Sequence, residues 1–447
     1  MSLLALGCAG RTRPGTEETG TLPPRVGGAA GLGFDVPAFY RNAGLLAGDA
    51  PVAFVGTVHF LASATPDTTL LLIGVSLPSN ALTFVRENDR YRAGYEIRAL
   101  LRQNAVQVHE ISAREQVRVG SFMETTRGDE SVIFQEYVPV APGTYELTLV
   151  VRDLESSRTS TSAADLNIPR YVEGYLSSPV PVHEAEPRTQ LDSLPEIISS
   201  PRASAVFGRD SIITVYLEAY GSGEGDVPVA LQVRGEAGAI LHGDTAVLTR
   251  TGGLFSGTVE LPVARLGIGA TMLAVTRTDT RDSSTTPLIV GFGDDLPLVS
   301  FDQMLDYLQY FTQVSRVRAM RTAPPEDRPR LWAEFLDSTD PDPATPEHEG
   351  LRRYFERIAY ANFRFREEGS VGWRSDRGMV FVALGEPDQI LEQTRSEFAG
   401  RGRVQVWEYR MHRLQLLFVD ETGFGRWRLS PSSEVEFRSA VQRLREP

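Results

Sequence analysis

The chain has 447 residues, of which 41% are hydrophobic and 23% charged, a composition typical of a folded protein with several domains. Its formal net charge of −13 and the absence of a basic cluster argue against nucleic acid as the main partner. All 45 basic residues are arginine, and the lack of lysine excludes Schiff-base chemistry, a P-loop lysine and a Ser–Lys dyad.

The N-terminus resembles a lipoprotein signal. The apolar run 3–7 precedes Cys8, as in the bacterial lipobox, where the cysteine thiol receives a diacylglyceryl group. The charged segment and most of the apolar segment that normally come first are missing, so we expect the true start codon to lie upstream. Cys8 is also the single cysteine, which rules out an internal disulfide. The sequence thus predicts residues 1–33 to be a lipobox remnant and flexible tether, with Cys8 lipidated.

Residues 34–168 are predicted to form a short helix followed by an all-β domain. The helix is expected within 34–47, and turn residues separate the apolar, β-branched runs that follow. Short strands at this spacing indicate an antiparallel, Ig-like sandwich. The predicted strands are 51–61, 69–77, 81–85, 91–101, 105–111, 131–138 and 145–151.

A linker is predicted over 169–200, where Ser-Pro and Glu-Pro pairs occur with little apolar pattern. A second Ig-like β-sandwich domain is predicted over 201–293. The acidic loop 221–226 lacks the ligand ladder of an EF-hand, and we interpret it as a solvated loop. The predicted strands of this domain are 211–219, 227–234, 253–261, 267–276 and 287–292.

Residues 294–447 are predicted to form an α+β domain. Apolar residues at helical spacing indicate a long helix from Leu351 to Phe365, and a short apolar run indicates a strand over 379–384. The other predicted helices are 301–320, 330–336 and 433–445, and the other predicted strands are 404–409 and 414–420.

The heptapeptide Gly372–Gly378 lies between the long helix and the predicted strand. Gly372 stops the helix, because glycine accepts the left-handed backbone of a helix end. Trp373 can lock a turn against a core. Asp376 can accept backbone N–H bonds within the turn, and Arg377 can pair with it or with another carboxylate. The heptapeptide is therefore predicted to be a rigid helix-to-strand corner.

The third domain resembles the GWxTD domain, a module of extracytoplasmic bacterial proteins whose biochemical role is unassigned. Ser375 replaces the threonine that names the motif and keeps its hydroxyl. The resemblance implies an extracytoplasmic protein and leaves its chemistry open. The matching pieces lie within 337–430 and are 340–345 with Glu349, then 359–363, 372–378, 385–388, 407–409 and 418–420.

Two interpretations of the corner remain open. In the first, the corner is structural, and nearby residues are candidates for binding a protein or glycan. These candidates are Trp373, Arg374, Ser375, Asp376, Arg377, Trp407, Tyr409 and Trp427. In the second, the carboxylates Asp376, Glu386 and Asp388 act as general acid and base. Ser375 with His412 is a further hydrolytic arrangement, but no nucleophile elbow supports it.

These observations predict a lipid-anchored, non-catalytic protein of the cell envelope. Ala9 stands where an aspartate is associated with inner-membrane retention, so we expect the outer membrane. The two sandwiches would act as spacers, and the C-terminal domain would bind an envelope protein or glycan. Six scattered histidines without zinc-site spacing lead us to expect no metal, and we expect no cofactor. The alternative function is an extracytoplasmic hydrolase that uses carboxylates around Asp376.

Overall fold

The structure is a computed structural model, and Cys8 and the predicted tether lie outside its described residues. The described residues are 34–65, 67–127, 131–223, 225–235, 238–293, 296–345, 348–366, 370–394 and 403–445. They are mostly β-strand, in several sheets, with helices concentrated toward the C-terminus, which confirms the predicted β-rich chain with a C-terminal α+β region. They divide into a β-rich unit that ends at Arg353 and a C-terminal unit that begins at Tyr354.

The β-rich unit begins with two antiparallel sheets around a shared core. Their orders are β1-β2-β3-β7 and β4-β5-β8-β9, with β6 paired to β5. Leu71 and Ile73 from one sheet meet Ile97 and Leu149 from the other in this core. The strands are β1 (Leu46–Gly48), β2 (Phe54–Ala62), β3 (Thr69–Pro78), β4 (Val85–Glu87), β5 (Arg90–Gln103), β6 (Val106–Val119), β7 (Ser131–Val140), β8 (Gly143–Asp153) and β9 (Thr159–Ile168). Helices α1 (Val36–Asn42) and α2 (Phe122–Thr125) accompany them.

Strand β3 is buried on both faces. Its odd-numbered residues, such as Leu71, lie in the core between the two sheets. Its even-numbered residues Leu70 and Leu72 pack against Val180 and Tyr216, which come later in the chain. A strand covered on both faces needs apolar residues at consecutive positions, which explains the continuous run Leu70–Ile73.

Strand β9 was not predicted, because serines occupy some of its inward positions. Ser160 and Ser162 are buried. The Ser160 Oγ accepts from the Val52 N at 3.1 Å, and the Ser162 Oγ accepts from the Ala47 N at 3.2 Å. Hydrogen bonds therefore satisfy inward hydroxyls that a hydropathy pattern does not register.

A second core lies within the next group of strands, whose order is β11-β10-β13-β16-β15-β14-β17-β18-β12. Pairing is antiparallel except between β12 and β18, which run parallel. The prediction of a purely antiparallel domain is therefore wrong at this pair of strands. The strands are β10 (Val180–Glu186), β11 (Glu196–Ser199), β12 (Ser204–Val206), β13 (Ile212–Ala219), β14 (Val227–Arg234), β15 (Ile240–Thr251), β16 (Leu254–Pro262), β17 (Gly269–Arg277) and β18 (Ser283–Gly291).

The structure corrects the predicted linker over 169–200, because β10 and β11 lie inside it and pair with each other. β10 also pairs with β13. Its Val180 and Val182 are buried against the outer face of the first sheets. Prolines and glutamates surround these short apolar stretches, and such residues are typical of loops. The strands were therefore not predicted from the composition of the segment.

A buried ion pair fastens this segment. The Arg188 guanidinium contacts Glu218 through two hydrogen bonds of 2.7 and 2.8 Å, and both side chains are almost fully buried. The hydroxyls of Tyr216 and Tyr220 donate to the same carboxylate at 2.7 and 2.8 Å. Arg188 also donates to the Ala62 O of β2 at 2.6 Å. Burial disfavours the Arg188 cation, but the hydrogen bonds and charge of Glu218 outweigh it and raise its pKa.

Helices complete the β-rich unit. The predicted helix 301–320 is interrupted by a 3₁₀ turn at Leu308–Tyr310. A capping box between Ser300 and Gln303 starts the first helix. The Trp332 Nε1 donates to the Phe292 O at 2.8 Å and ties the third helix to the strands. These helices are α3 (Phe301–Tyr307), α4 (Val314–Thr322) and α5 (Arg328–Thr339), and α6 (Glu349–Arg364) crosses the boundary into the C-terminal unit.

In the C-terminal unit, the run predicted as a strand over 379–384 is part of helix α7 (Asp376–Leu384). A short apolar run fits a buried helix as well as a strand, and here Val380, Phe381 and Val382 are all buried. Gly385, at φ +84°, ends the helix. The corner therefore joins two helices. An antiparallel sheet of order β19-β20-β21-β22 and a last helix follow, namely β19 (Gln389–Thr394), β20 (Arg403–Tyr409), β21 (Leu414–Asp420), β22 (Arg428–Leu429) and α8 (Pro431–Arg445).

Candidate functional site

Two glycines allow the corner to close. A Cβ on Gly372 would lie 2.1 Å from the Ala361 O of α6. A Cβ on Gly378 would lie 1.9 Å from the Gly372 O. Contacts this short are forbidden by sterics, so backbone approaches backbone here because neither residue has a side chain. Close approach, rather than a left-handed helix end at Gly372, explains the glycines of this motif.

Ser375 is the N-cap of α7. Its Oγ accepts from the Gly378 N at 3.1 Å and donates to the Gly372 O at 2.8 Å. Both bonds need a hydroxyl and neither needs the methyl group of threonine, which explains why serine serves at this position. The hydroxyl is thus occupied within the corner, while His412 lies in the turn after β20, beside the Tyr409 ring.

Asp376 connects the corner to the sheet. One carboxylate oxygen accepts from the Leu429 N of β22 at 2.7 Å, and the other accepts from the Arg428 Nη1 at 3.2 Å. The prediction that Asp376 accepts backbone N–H groups within its own turn is therefore wrong. Its partners come from the strand 53 residues later. Asp376 is also the first residue of α7, where a negative charge interacts favourably with the positive end of the helix dipole.

Trp373 is buried, and its backbone N donates to the Asn362 Oδ1 of α6 at 3.0 Å. The Arg374 guanidinium carbon lies 5.0 Å from the centroid of the Trp373 ring, while Arg374 itself is exposed. The backbone of Trp373 therefore joins the corner to α6, and its ring is covered by an arginine, as a cation–π contact allows.

Trp427 is packed between arginines from two elements. The Cζ of Arg377 lies 5.1 Å from its ring centroid, and that of Arg403 lies 5.2 Å away. Arg377 also lies over Phe365, at 5.3 Å. Arg377 thus contacts two aromatic rings, and Trp427 is buried.

A buried carboxylate organises the loop after β21. Asp420 accepts from the backbone N of Gly423 at 2.9 Å and of Gly425 at 2.8 Å. The Thr422 Oγ1 and the Arg403 Nη2 donate to it as well. Burial disfavours the charged form, but these hydrogen bonds outweigh burial and hold the pKa of Asp420 below its usual value.

Phe424 lies between the two glycines of this loop, and 86% of its surface is exposed. Gly423 and Gly425 have φ of +74° and +86°, which a residue with a Cβ rarely adopts. We refer to Asp420–Gly425 as the Phe424 loop. Its backbone is fixed by the buried carboxylate, while its one aromatic side chain faces solvent.

The remaining predicted residues lie in the core or at the far end of the sheet. Trp407 is buried beside Phe418, with ring centroids 4.8 Å apart. Tyr409 is buried, and its hydroxyl donates to the Gly385 O at 3.0 Å. Asp388 accepts from the Arg410 N at 2.6 Å.

Glu386, in the same turn as Asp388, is exposed. The structure thus brings Trp373, Ser375 and Asp376 together at the corner. It places Glu386 and Asp388 in the turn before β19 instead. Carboxylate contacts in these two places involve different elements, namely β22 for Asp376 and the turn after β20 for Asp388.

Sequence analysis did not single out Arg357 or the Phe424 loop. The loop does have a local signal, since an aspartate followed at short range by threonine and two glycines is typical of a side-chain-stabilised turn. Arg357 has a weaker one, because it lies between Tyr354 and Ile358, which are both buried residues of α6.

None of the helices in the described residues combines the length and the hydropathy needed to cross a membrane. Likewise, the Cys, His, Asp and Glu side chains of the described residues include no group of three or more arranged to hold a metal ion.

Three solved structures show similarity to the chain, and the match spans less than a third of each of them. Red sea bream transglutaminase is 9% identical with a TM-score of 0.17, and the match covers 53% of this chain and 31% of that one. Dimeric latent PorU from Porphyromonas gingivalis is 9% identical with a TM-score of 0.24, covering 53% and 20%. Escherichia coli alpha-2-macroglobulin activated by porcine elastase is 13% identical with a TM-score of 0.17, covering 54% and 26%. No curated protein matches the chain in sequence.

The model of the GWxTD domain matches residues 273–421. The match includes the corner Gly372-Trp373-Arg374-Ser375-Asp376 and extends further toward the N-terminus than the resemblance noted in the sequence, as far as β17 and β18. The chain is therefore a GWxTD domain-containing protein.

Proposed function

We propose that this protein is a non-catalytic interaction protein of the cell envelope and that its C-terminal unit binds a partner protein through Phe424. The observation that carries the proposal is the contrast within the Phe424 loop between a fixed backbone and an exposed aromatic side chain. Asp420 holds the backbone with hydrogen bonds from two glycine N–H groups, and Phe424 remains 86% exposed.

This arrangement suits binding for an energetic reason. Exposing a phenylalanine to water is unfavourable, and a buried carboxylate is tolerated only where hydrogen bonds satisfy it. A loop already held in one conformation loses little entropy when a partner covers its aromatic side chain. Aromatic anchors of this kind supply much of the affinity at protein interfaces.

The corner supports a structural role for the motif residues. The Ser375 hydroxyl and the Asp376 carboxylate are both engaged in hydrogen bonds, which join Gly372 to α7 and α7 to β22. Groups engaged in this way hold the unit together. We therefore assign the motif to stability and place binding at the Phe424 loop.

For the rest of the chain we propose two Ig-like sandwiches that act as spacers, and a lipid on Cys8 that attaches the protein to the outer membrane. Support comes from the shared core between the first two sheets and from the lipobox-like sequence before Cys8. Mass spectrometry of the mature N-terminus in its native bacterium tests the anchor. An unmodified Cys8 would contradict it.

Site-specific crosslinking tests the binding surface. A photoreactive phenylalanine analogue at position 424 of the full chain should give a defined crosslinked protein in intact cells. The same analogue at Gln415, an exposed position on β21 of the same sheet, serves as the control. Equal crosslinking from both positions would contradict the proposal, and a product that is lost after glycosidase treatment would identify a glycan instead.

Activity assays test the non-catalytic assignment. The purified protein should not hydrolyse glycan, peptide or ester substrates. Turnover that is lost in both Asp376→Asn and Asp388→Asn, and retained in Glu334→Gln, at an exposed position on α5, would instead establish the hydrolase.

A further inference from the structure

The Arg357 guanidinium in the C-terminal unit lies near the Tyr354 ring and the backbone of Gly385. Its Cζ lies 5.8 Å from the centroid of the Tyr354 ring. Its Nη1 is 3.8 Å from the position that a Cβ on Gly385 would occupy, so the cation lies directly over this glycine. A side chain at 385 would point at the guanidinium, and glycine leaves the approach open.

This guanidinium has no hydrogen-bonded or ion-paired partner within the described ranges. Burial is the main cause of a lowered pKa for Arg357, which nearby Tyr354 and Tyr409 oppose only in part. At Arg188, burial is outweighed by Glu218 and the pKa is raised. Both arginines are thus desolvated. Arg188 has Glu218 as its counterion, whereas Arg357 has none in the part of the chain that is described.

The surroundings of Arg357 are fixed by hydrogen bonds to other groups. The Tyr409 hydroxyl is occupied as a donor to the Gly385 O. The carboxylate of Asp388 is occupied by the Arg410 N, and the Asp388 N donates to the Glu408 O at 2.8 Å. The turn that faces the guanidinium is therefore held in place by the end of β20 and the residue that follows it.

We propose that the Arg357 guanidinium, held over Gly385, binds the carboxylate group of a ligand. A half-buried guanidinium is open enough for a ligand to reach and dry enough for a charge-assisted hydrogen bond to be strong. Arginine presents two parallel N–H groups that match the two oxygens of a carboxylate.

The charged groups around Arg357 and Tyr409 favour a singly charged ligand. Glu386 and Asp388 lie in the turn and act on the neighbouring Tyr409, whose pKa is raised mainly by burial and further by these two acids. A single cation, with two acids close to the neighbouring Tyr409, suits a monoanion better than a phosphate, which is usually bound by several donors or cations.

This site is distinct from the Phe424 loop. Arg403 pairs with Asp420 at one end of the β20–β21 hairpin, and Tyr409 pairs with Leu414 at the other. The Phe424 loop begins at Asp420, whereas Arg357 lies near Tyr409. A negative result at one site therefore does not contradict the proposal for the other site.

Ligand-observed NMR with the full chain tests the proposal, using acetate as the probe. Acetate should show saturation transfer from the wild-type protein, and Arg357→Met should weaken its binding at least about tenfold, the loss expected for a charge-assisted contact of 1.5–3 kcal/mol. Arg353→Met, an exposed arginine one turn earlier on α6, should leave binding unchanged. Acetamide, which has the same shape and no charge, should not bind.

A peptide pair identifies the source of the carboxylate. A short peptide with a free C-terminus that binds more tightly than acetate, and loses binding on amidation, would identify a chain end. Equal affinity of the peptide and acetate would identify a small free acid. Equal acetate binding by the wild type and Arg357→Met would overturn the site, and tighter binding of inorganic phosphate than of acetate would overturn the carboxylate assignment.

Discussion

Arg188 in the β-rich unit and Arg357 in the C-terminal unit are both desolvated arginines, but the protein treats them in opposite ways. Arg188 donates to the Ala62 O and to both carboxylate oxygens of Glu218, each of which also accepts from a tyrosine hydroxyl. Arg357 faces the Tyr354 ring and the backbone of Gly385. The pKa of Arg188 is raised and that of Arg357 is lowered.

The contrast separates a charge used for folding from a charge available for binding. A buried ion pair whose groups are all satisfied fixes chain segments relative to one another, here β2, β13 and the segment that contains Arg188. A partly buried cation without its counterion destabilises the free protein slightly, and a ligand with the missing charge would recover that energy. The two arginines therefore predict opposite responses to the same substitution.

The largest expected effect is on the Arg188 side. Arg188→Met should leave Glu218 buried without its cation and destabilise the β-rich unit by about 3–5 kcal/mol. Urea unfolding followed by circular dichroism measures this. Glu334→Gln removes half of an exposed ion pair with Arg330, which water screens, and should have little effect on stability. Equal effects of the two substitutions would show that burial does not govern this pair.

A second substitution tests whether the close backbone contacts of the corner contribute to the stability of the C-terminal unit. Gly378→Ala places a methyl group 1.9 Å from the Gly372 O and should destabilise the unit by about 1–3 kcal/mol, although alanine normally favours a helix. Thermal unfolding gives the change. Ser439→Ala, on the exposed side of α8, should be neutral or slightly stabilising.

The N-cap hydroxyl has a smaller expected effect. Ser375→Ala removes the acceptor for the Gly378 N and should cost about 1 kcal/mol, within the range of 0.5–2 for helix caps. Ser375→Thr keeps the hydroxyl and should stay close to the wild type in the same unfolding experiment. A threonine variant as unstable as the alanine variant would show that the site is limited by space.

The smallest expected effect completes the comparison. Arg357→Met removes a desolvated cation and no counterion, so the free energy of unfolding should be unchanged or rise by up to about 1 kcal/mol. The measurement is the same urea titration used for Arg188→Met. A loss of stability as large as that of Arg188→Met would mean that Arg357 serves the fold.

Residue patterns predicted much of the structure where one face of an element is buried. The helix ending near Phe365 and the strands 404–409 and 414–420 follow from such patterns, and all are present with small shifts in their ends. The corner was predicted to be rigid, and the hydrogen bonds of Ser375 agree with that.

The errors have physical reasons. Val380–Val382 is buried on all sides, so its pattern has no period that separates helix from strand. Asp376 binds a strand 53 residues away, which no local rule can give. Arg188 lies in a stretch rich in polar residues and proline, and its burial depends on Glu218 and β2, which are distant in sequence.

The position of Arg188 has a consequence for anyone who divides this gene for expression. A fragment that starts at Pro201 would keep Glu218 and lose its guanidinium partner, together with strand β10, which pairs with β13. A fragment that stops at Ile168 would lose the strands that cover the outer side of β3 and leave Leu70 and Leu72 in water. Both pieces should precipitate, so the two β-rich regions are best produced as a single polypeptide.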